Sequence, residues 1–270
     1  VYALERVHAP LVRDVTVNGV AAFSWPIGDY TGGRGVGFMA PSFWFGDSVW
    51  RSDFNNDIRN ANHNFVRVFT ATNPASPLYN QPISTLAPPA GSKGTNGAVL
   101  AANRYDRAFY PYQSKATQPY VHPTALYENP NNANPVLKYL LKAGAGGLYI
   151  DQYMFRLAET YLLRAEAYVG LGNTTAAAAD INRVRARSNA NPVTPGNVNI
   201  DYILDERLRE LGVEEKRAIT LMRLGKWVDR VRRLNPVYSA QVKENYNLWP
   251  IPFSEIERNR TAVLEQNPGY

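Results

Sequence analysis

The hydrophobic residues between positions 151 and 234 recur with the period of an α-helix. One series, at steps of three and four residues, comprises Met154, Ala158, Tyr161, Ala165 and Tyr168. A second series, at steps of seven, comprises Phe155, Leu162 and Val169. A helix with apolar side chains on two faces is typically buried between other helices. The pattern therefore predicts a helix that begins near Asp151 and belongs to a helical array.

Turn and capping residues divide this pattern into two hairpins. Gly172 is placed to end the first helix in a left-handed conformation, and Asn173 can cap the helix that follows. Asn199 can cap a third helix, and Gly212 separates it from "VEEKRAITLMRLGKWVDRVRRL". We therefore predict stacked helical hairpins.

The first hairpin resembles a tetratricopeptide repeat, a unit of about 34 residues. Ala165 and Ala177 would let the two helices approach closely, and Tyr161 and Tyr168 would fill the space between units. The predicted fold class is mainly α: a tetratricopeptide-like α–α superhelix of stacked helical hairpins, with a large loop-rich segment that carries short strands.

Two hairpins are fewer than the roughly three that such repeats need for stability. We therefore expect their outer face to require a cover from elsewhere. That face carries Tyr161, Leu162, Val169 and Ile181.

The first half of the chain has a different character, because most of the 19 Pro and 19 Gly residues lie there and favour turns. We predict a short helix to Val7, a strand that turns at Asn18 and Gly19, and a strand-like run over residues 65–69. Residues 72–104 show no period and predict a surface loop.

Three segments result, within one structural domain overall: a loop-rich, aromatic, candidate ligand-binding segment over 1–150, the helical hairpins over 151–234, and a tail over 235–270. Prolines fix the extended backbone of the tail. Trp249, Ile251 and Phe253 are expected to pack it on the helices.

Charge and composition exclude several functions. The formal net charge is +6, but in "DERLREL" and "VEEKR" basic and acidic residues alternate, as on a solvated helix face with ion pairs. We therefore expect no nucleic-acid partner. The absence of cysteine excludes disulfides and thiolate sites.

Candidate metal ligands are few. His8, His63 and His122 have no zinc-site spacing. Asp53, Asn55 and Asp57 alternate as in a calcium loop, but the next required positions are occupied by the wrong residue types. Capping and ion pairing with Arg51 and Arg59 is the favoured interpretation. We expect no metal, no cofactor and no catalytic residues.

Aromatic residues between positions 25 and 50 are the better candidates for a binding site. Flat aromatic rings can stack on the apolar C–H faces of sugars, and neighbouring polar side chains can bind hydroxyl groups. The candidate ligand-binding residues are Trp25, Tyr30, Arg34, Trp44 and Trp50.

Several motifs occur in a fixed order along the chain. They are "FWFGDSVWRSDFNNDIRNANHNFVRVF", "FYPYQSK", "FRLAETYLLRAEAYVGLGNTTAAAADINRVRARSNA", "ILDERLRELGVEEKR", "LMRLGKW" and "LWPIPFSEIERN" with "EQNPGY". Over about residues 38–270 this order resembles the carboxyl-terminal portion of the SusD/RagB family of outer-membrane nutrient-binding lipoproteins.

The resemblance implies a noncatalytic protein that captures glycan or oligopeptide nutrients at the bacterial cell surface. It implies delivery to a TonB-dependent barrel transporter of the SusC-like type, and attachment to the outer membrane only through an anchor in sequence before this chain. Members of the family are longer, so we expect this chain to be a carboxyl-terminal part.

Two alternatives stay open. One is a tetratricopeptide-type scaffold that binds a protein partner in a concave groove over the helices. The other, less favoured, is a glycoside hydrolase, which requires two carboxylates roughly 5 to 10 Å apart in a cleft. The location of the ligand, on the loop-rich half or on the helices, discriminates between capture and scaffold.

Overall fold

The computed structural model describes residues 4–25, 27–28, 33–102, 104–117, 121–145, 149, 151 and 153–270. The chain forms two compact units, Val1–Glu215 and Lys216–Tyr270. The predicted fold class is confirmed: the described residues are mainly helical, with few and short strands. The division by sequence pattern into 1–150, 151–234 and 235–270 stays a prediction.

The first unit contains the predicted tetratricopeptide-like hairpin. Helix α4 spans Leu157–Gly170 and helix α5 spans Thr174–Ala186. Gly172 has a φ of 73°, and the Asn173 side chain accepts a hydrogen bond from the Ala176 amide, so both capping predictions are confirmed. Ala165 and Ala177 are completely buried in the shared core, as their close-approach roles require.

The start of the first hairpin differs from the prediction. Helix α4 begins at Leu157 rather than near Asp151, because the Arg156 backbone is extended, with φ −149° and ψ 164°. Its guanidinium is held by Glu210 and Glu214. Met154, which the stripe includes, precedes the helix and is 94% exposed.

A third helix completes the packing of the hairpin. Helix α6 spans Ile200–Leu211 and contacts both α4 and α5. Its first turn is capped by Asn199, as predicted, and Gly212 ends it with a φ of 43°. Leu162 and Ile181 are fully buried, so the expectation that these two residues require a cover from elsewhere is wrong. The third helix and the segment before it cover them.

The loop-rich part of this unit carries three short helices and seven short strands among its described residues. The helices are α1 Leu4–His8, α2 Phe43–Gly46 and α3 Pro135–Lys138. The strands are β1 Thr16–Val17, β2 Val20–Ala21, β3 Phe65–Val66, β4 Val68–Thr70, β5 Pro82–Ser84, β6 Ser92–Lys93 and β7 Tyr112–Gln113.

The pairs among these seven strands are all antiparallel. They form one sheet in the order β2-β1-β6 and two pairs, β3-β7 and β4-β5. The predicted turn at Asn18 and Gly19 joins β1 to β2, with both residues at positive φ. Residues 72–104 contribute β5 and β6, so the prediction of a loop without strands is wrong there. Ile83 of β5 is buried in the core of this part.

The second unit contains α7 Arg217–Arg223, α8 Trp227–Leu234 and α9 Phe253–Arg258. The tail touches α8 through the ring of Tyr246, which contacts Trp227. Trp249 is 66% exposed, so the expected packing through this ring is wrong, as it is for the exposed Phe253. Hydrogen bonds within the tail hold two of its segments together. The Gln266 side chain accepts from the Ile251 amide and donates to the Ile251 carbonyl, both at 2.8 Å. No helix among the described residues is long and apolar enough to cross a membrane.

Candidate functional site

Trp25 presents an exposed ring on the loop-rich part of the first unit. Its side chain is 56% exposed, whereas Phe23 and Ile27 on either side are buried. Ser24 ties the segment to Thr72 through two hydrogen bonds of 2.9 Å, one from its amide and one from its hydroxyl. The backbone around the tryptophan is therefore fixed while the ring faces solvent.

Two guanidinium groups lie over this ring. The Cζ atom of Arg34 is 5.4 Å from the ring centroid of Trp25, and that of Arg13 is 5.6 Å away. Such cation–π contacts contribute about 0.5 to 1 kcal/mol at exposed sites. The Nη2 atom of Arg34 also donates a 2.6 Å hydrogen bond to the Lys142 carbonyl. The ring and the two cations thus form one surface.

The loop that carries Arg34 lies against the amino-terminal segment. The amide of Val36 donates to the Arg6 carbonyl, and that of Gly37 donates to the Ala9 carbonyl, both at 3.0 Å. A Cβ atom at Gly35 would lie 2.3 Å from the Ala9 carbonyl oxygen. Only glycine permits this approach, which brings the arginine loop next to Arg6.

A cavity of about 160 Å³ lies at this surface. Among the described residues that line it, the polar side chains are those of Arg6, Arg13, Arg34 and Trp25, and none is an aspartate or glutamate. We call these four residues the Trp25 surface. It has an apolar ring for stacking and guanidinium groups for polar contacts.

The candidate ligand-binding residues predicted from the sequence do not all lie at one site. Trp25 and Arg34 lie together, while Trp44 and Trp50 belong to a separate cluster with Phe45 and Phe65. Tyr30 lies outside the described residues.

The two tryptophans of the separate cluster have structural contacts. The Trp44 ring nitrogen donates a 3.2 Å hydrogen bond to Asp205, and the side chain is half-buried. Trp50 is 1% exposed, and its ring nitrogen donates to the Phe45 carbonyl at 2.8 Å. The prediction that Trp50 is a ligand platform is therefore wrong, because no face of the ring is accessible.

Sequence reasoning missed Arg6 and Arg13. Arg13 lies in the 3-10 turn Val12–Asp14, where the buried Val12 fixes the turn and leaves the arginine outside. The sequence signal for Arg13 is slight. Arg13 directly follows the apolar pair Leu11 and Val12, a few residues before strand β1. Its proximity to Trp25 depends on tertiary contacts that the local pattern does not encode.

A second group of charged residues is buried around helix α6. Glu206 has no exposed surface, and its carboxylate lies 2.9 Å from Arg59, 2.6 Å from Arg185 and 2.8 Å from Arg209. Burial by itself raises the pKa of a carboxylate. The charges of the three arginines outweigh burial here and lower the pKa of Glu206 to about 2. The carboxylate is therefore ionised in the folded protein.

Glu210 extends this α6 network. Its carboxylate contacts Arg59 at 2.8 Å and Arg156 at 2.5 Å. Burial raises the pKa of Glu210, and the bonds from both arginines more than reverse this effect. The prediction that "DERLREL" is a solvated face is wrong, since Glu206, Arg207, Arg209 and Glu210 are all buried.

The aspartates of the calcium-like motif belong to the same network. Asp57 pairs with Arg59 at 2.7 Å, as predicted, but Asp53 pairs with Arg185 at 2.5 Å and Arg51 pairs with Asp47. Within the part of the chain that the structure describes, no group of three or more acidic or histidine side chains could hold a metal ion.

The fold and the Trp25 surface define a tetratricopeptide-like helical protein with an exposed aromatic and cationic surface. A sequence model of the SusD family matches residues 46–270. The chain therefore belongs to the SusD family. The four residues of the Trp25 surface precede the matched range.

Two curated relatives match part of the chain. The starch-binding protein SusD of Bacteroides thetaiotaomicron is 36% identical over 124 residues, which cover 44% of this chain and 22% of the relative. The SusD-like protein P38 of Formosa agariphila is 33% identical over 128 residues, or 43% of this chain and 24% of the relative. The matches thus span about a quarter or less of the relatives' own lengths.

Solved structures of SusD-like proteins show weak overall similarity. A laminarin binding SusD-like protein is 22% identical with a TM-score of 0.48, covering 99% of this chain and 44% of that one. Surface glycan-binding protein A from Bacteroides thetaiotaomicron, in complex with laminarihexaose, is 18% identical with a TM-score of 0.49, covering 98% and 46%.

Proposed function

We propose that this protein captures glycans at the bacterial cell surface without cleaving them, and that the Trp25 surface holds the ligand. The observation that carries the proposal is the half-exposed ring of Trp25, fixed by its buried neighbours and flanked by Arg13 and Arg34. A rigid aromatic face with polar groups at its rim suits a sugar ring, which has apolar faces and polar edges.

Membership of the SusD family supports this proposal, since one curated relative is named as a starch-binding protein. We further propose that the protein is held at the outer membrane and passes its ligand to a TonB-dependent barrel transporter of the SusC-like type. An oligopeptide is the alternative ligand class.

The absence of catalysis is proposed on the distribution of carboxylates. Glycoside hydrolysis needs one protonated and one ionised carboxyl group facing the same sugar. The described residues that line the cavity provide neither. The buried Glu206, Glu210 and Asp53 are each engaged by arginine, which favours the ionised form of all three. A structural role for them fits better than acid–base chemistry.

A scaffold that binds a protein partner is the second candidate. It is favoured by a run of exposed apolar side chains at the start of the hairpin: Tyr153, Met154, Phe155 and Leu157. Contiguous apolar surface is typical of protein interfaces. A ligand on this run rather than on the Trp25 surface would support the scaffold.

The proposal is tested with affinity gels that contain neutral and acidic polysaccharides. At least one should retard the protein, and Trp25→Ala should weaken binding by about 5- to 30-fold, corresponding to roughly 1 to 2 kcal/mol. Trp249→Ala is the matched control, because that ring is also exposed but belongs to the second unit.

Two results would count against the proposal. If Trp25→Ala and Trp249→Ala lose gel retardation by the polysaccharide equally, the Trp25 surface has no specific role in binding. Release of reducing sugar from a bound polysaccharide, abolished by a single Glu→Gln substitution, would contradict noncatalytic capture.

A further inference from the structure

The Trp25 surface has an unusual balance of hydrogen-bonding groups. Its polar side chains are three guanidinium groups and one indole, and all of these donate hydrogen bonds without accepting any. None of the described residues that line the cavity contributes a side-chain acceptor. A sugar hydroxyl both donates and accepts hydrogen bonds. Side chains that only donate can bind its oxygen but cannot accept its proton. A carboxylate or sulfate group accepts only, and fits the set fully.

The geometry of the arginines suits such a group. The Cζ atoms of Arg13 and Arg34 both lie over the Trp25 ring, within 6 Å of its centroid, so their cationic groups adjoin the part of the ring that stays exposed. A guanidinium binds carboxylate and sulfate-like oxygens with two parallel hydrogen bonds, which a single hydroxyl cannot match. An acidic substituent on a stacked sugar would lie within their reach.

The charge of Arg13 is only weakly compensated by its neighbour. Its Nε atom is 3.7 Å from the Asp14 carboxylate, and about half of the Arg13 side chain is open to solvent. By contrast, the exposed Arg51 is paired with Asp47 at 2.5 Å. A pair at the longer distance leaves Arg13 available for a stronger anionic partner.

We infer that the ligand of the Trp25 surface is an anionic glycan, in which a carboxylate or sulfate group binds Arg13 and Arg34 while the sugar ring stacks on Trp25. This inference rests on the proposed function and specifies its substrate class. The positive charge attracts the polymer, and the tryptophan selects a sugar over other anions.

The test compares matched polymers that differ only in charge. Polygalacturonate is compared with its carboxyl-reduced form, and dextran sulfate with dextran, by affinity electrophoresis and calorimetry. We expect each anionic polymer that binds to bind at least about tenfold more tightly than its neutral counterpart, as for one lost charged hydrogen bond. The two pairs distinguish carboxylate from sulfate recognition.

Two single variants separate a specific site from general attraction by a basic protein. Arg13→Gln and Arg258→Gln remove the same charge, but Arg258 lies on helix α9 in the second unit and is also exposed. Arg13→Gln should weaken anion binding about tenfold, and Arg258→Gln should change it less than twofold. Arg34→Gln is the second site variant, and circular dichroism confirms that each variant is folded.

The outcomes are distinct. Equal affinity for a polymer and its neutral form, or equal losses in Arg13→Gln and Arg258→Gln, would overturn the inference. Binding of neutral glycans alone would overturn it while leaving glycan capture intact. Binding of no glycan, neutral or anionic, would overturn the proposed function itself.

Discussion

The arginines of the α6 network and those of the Trp25 surface have opposite surroundings. Arg59, Arg185 and Arg209 are directed at one buried carboxylate, Glu206, and have little contact with water. Arg13 borders an exposed ring and is half open to solvent. The surroundings of an arginine therefore decide whether it stabilises the fold or is available to a ligand.

The α6 network should be costly to break because its charges are out of water. Replacing Glu206 with Gln leaves three arginines without a shared anion, and removal of one partner from a buried pair typically costs about 3 to 5 kcal/mol. Urea unfolding of Glu206→Gln, followed by circular dichroism, should show a loss of this size. A loss below about 1 kcal/mol would show that the network is not structural.

Acid should weaken the same network. The pKa of Glu206 falls from the ordinary 4.5 to about 2 in the folded protein, so its contribution is complete above pH 4.5 and disappears as the pH falls toward 2. The loss is roughly 3 kcal/mol in the free energy of unfolding. Unfolding curves between pH 6 and 2 measure it, and Glu206→Gln should show a shallower dependence. Identical pH profiles would contradict this assignment.

The scaffold that carries the α6 network should tolerate no extra volume at the helix crossing. Replacing Ala165 with Leu inserts side-chain atoms where no exposed surface remains, and should cost about 1 to 3 kcal/mol. Ala167→Leu is the control on the exposed side of the same helix and should be close to neutral. If both variants unfold at the same urea concentration as the parent, α4 and α5 are not closely packed.

Arg13 should contribute least to stability. Its ion pair with Asp14 is long and exposed, and such pairs are worth about 0 to 1 kcal/mol. Arg13→Gln should therefore change the free energy of unfolding by less than about 0.5 kcal/mol while it weakens anion binding. A large loss of stability would place Arg13 with the structural arginines and remove the contrast between the two groups.

Local signals in the sequence predicted local structure well. The turn at Asn18 and Gly19 and the caps at Gly172 and Asn173 depend on residues within a few positions of one another. The start of α4 was misplaced by several residues, because Arg156 is held in an extended conformation by glutamates from a distant segment.

The charged pattern of α6 could not be interpreted from sequence alone. Alternating acids and bases are compatible with a solvated face and with a buried network. The buried network forms because Arg59 and Asp53 of the loop-rich part pair with residues of the helices. Arg59 and its partner Glu210, for example, are 151 residues apart in sequence.

The candidate site was found in part. An aromatic cluster signalled Trp25 and Arg34, but composition cannot tell an exposed ring from a buried one. Trp50 has the same residue type and a similar neighbourhood in sequence, yet it packs on Phe45 and Phe65. Arg6 and Arg13 join Trp25 only through the folding of separate segments onto one another.

The location of the bound glycan shows whether the Trp25 surface binds the ligand while the helical hairpin only supports that surface. Amide hydrogen–deuterium exchange, with and without a saturating glycan, measures that location. We predict slower exchange in segments 11–14 and 33–36 and unchanged exchange in α4, α5 and α6. Protection confined to these helices, with none at 11–14 or 33–36, would contradict glycan binding at the Trp25 surface and favour the scaffold.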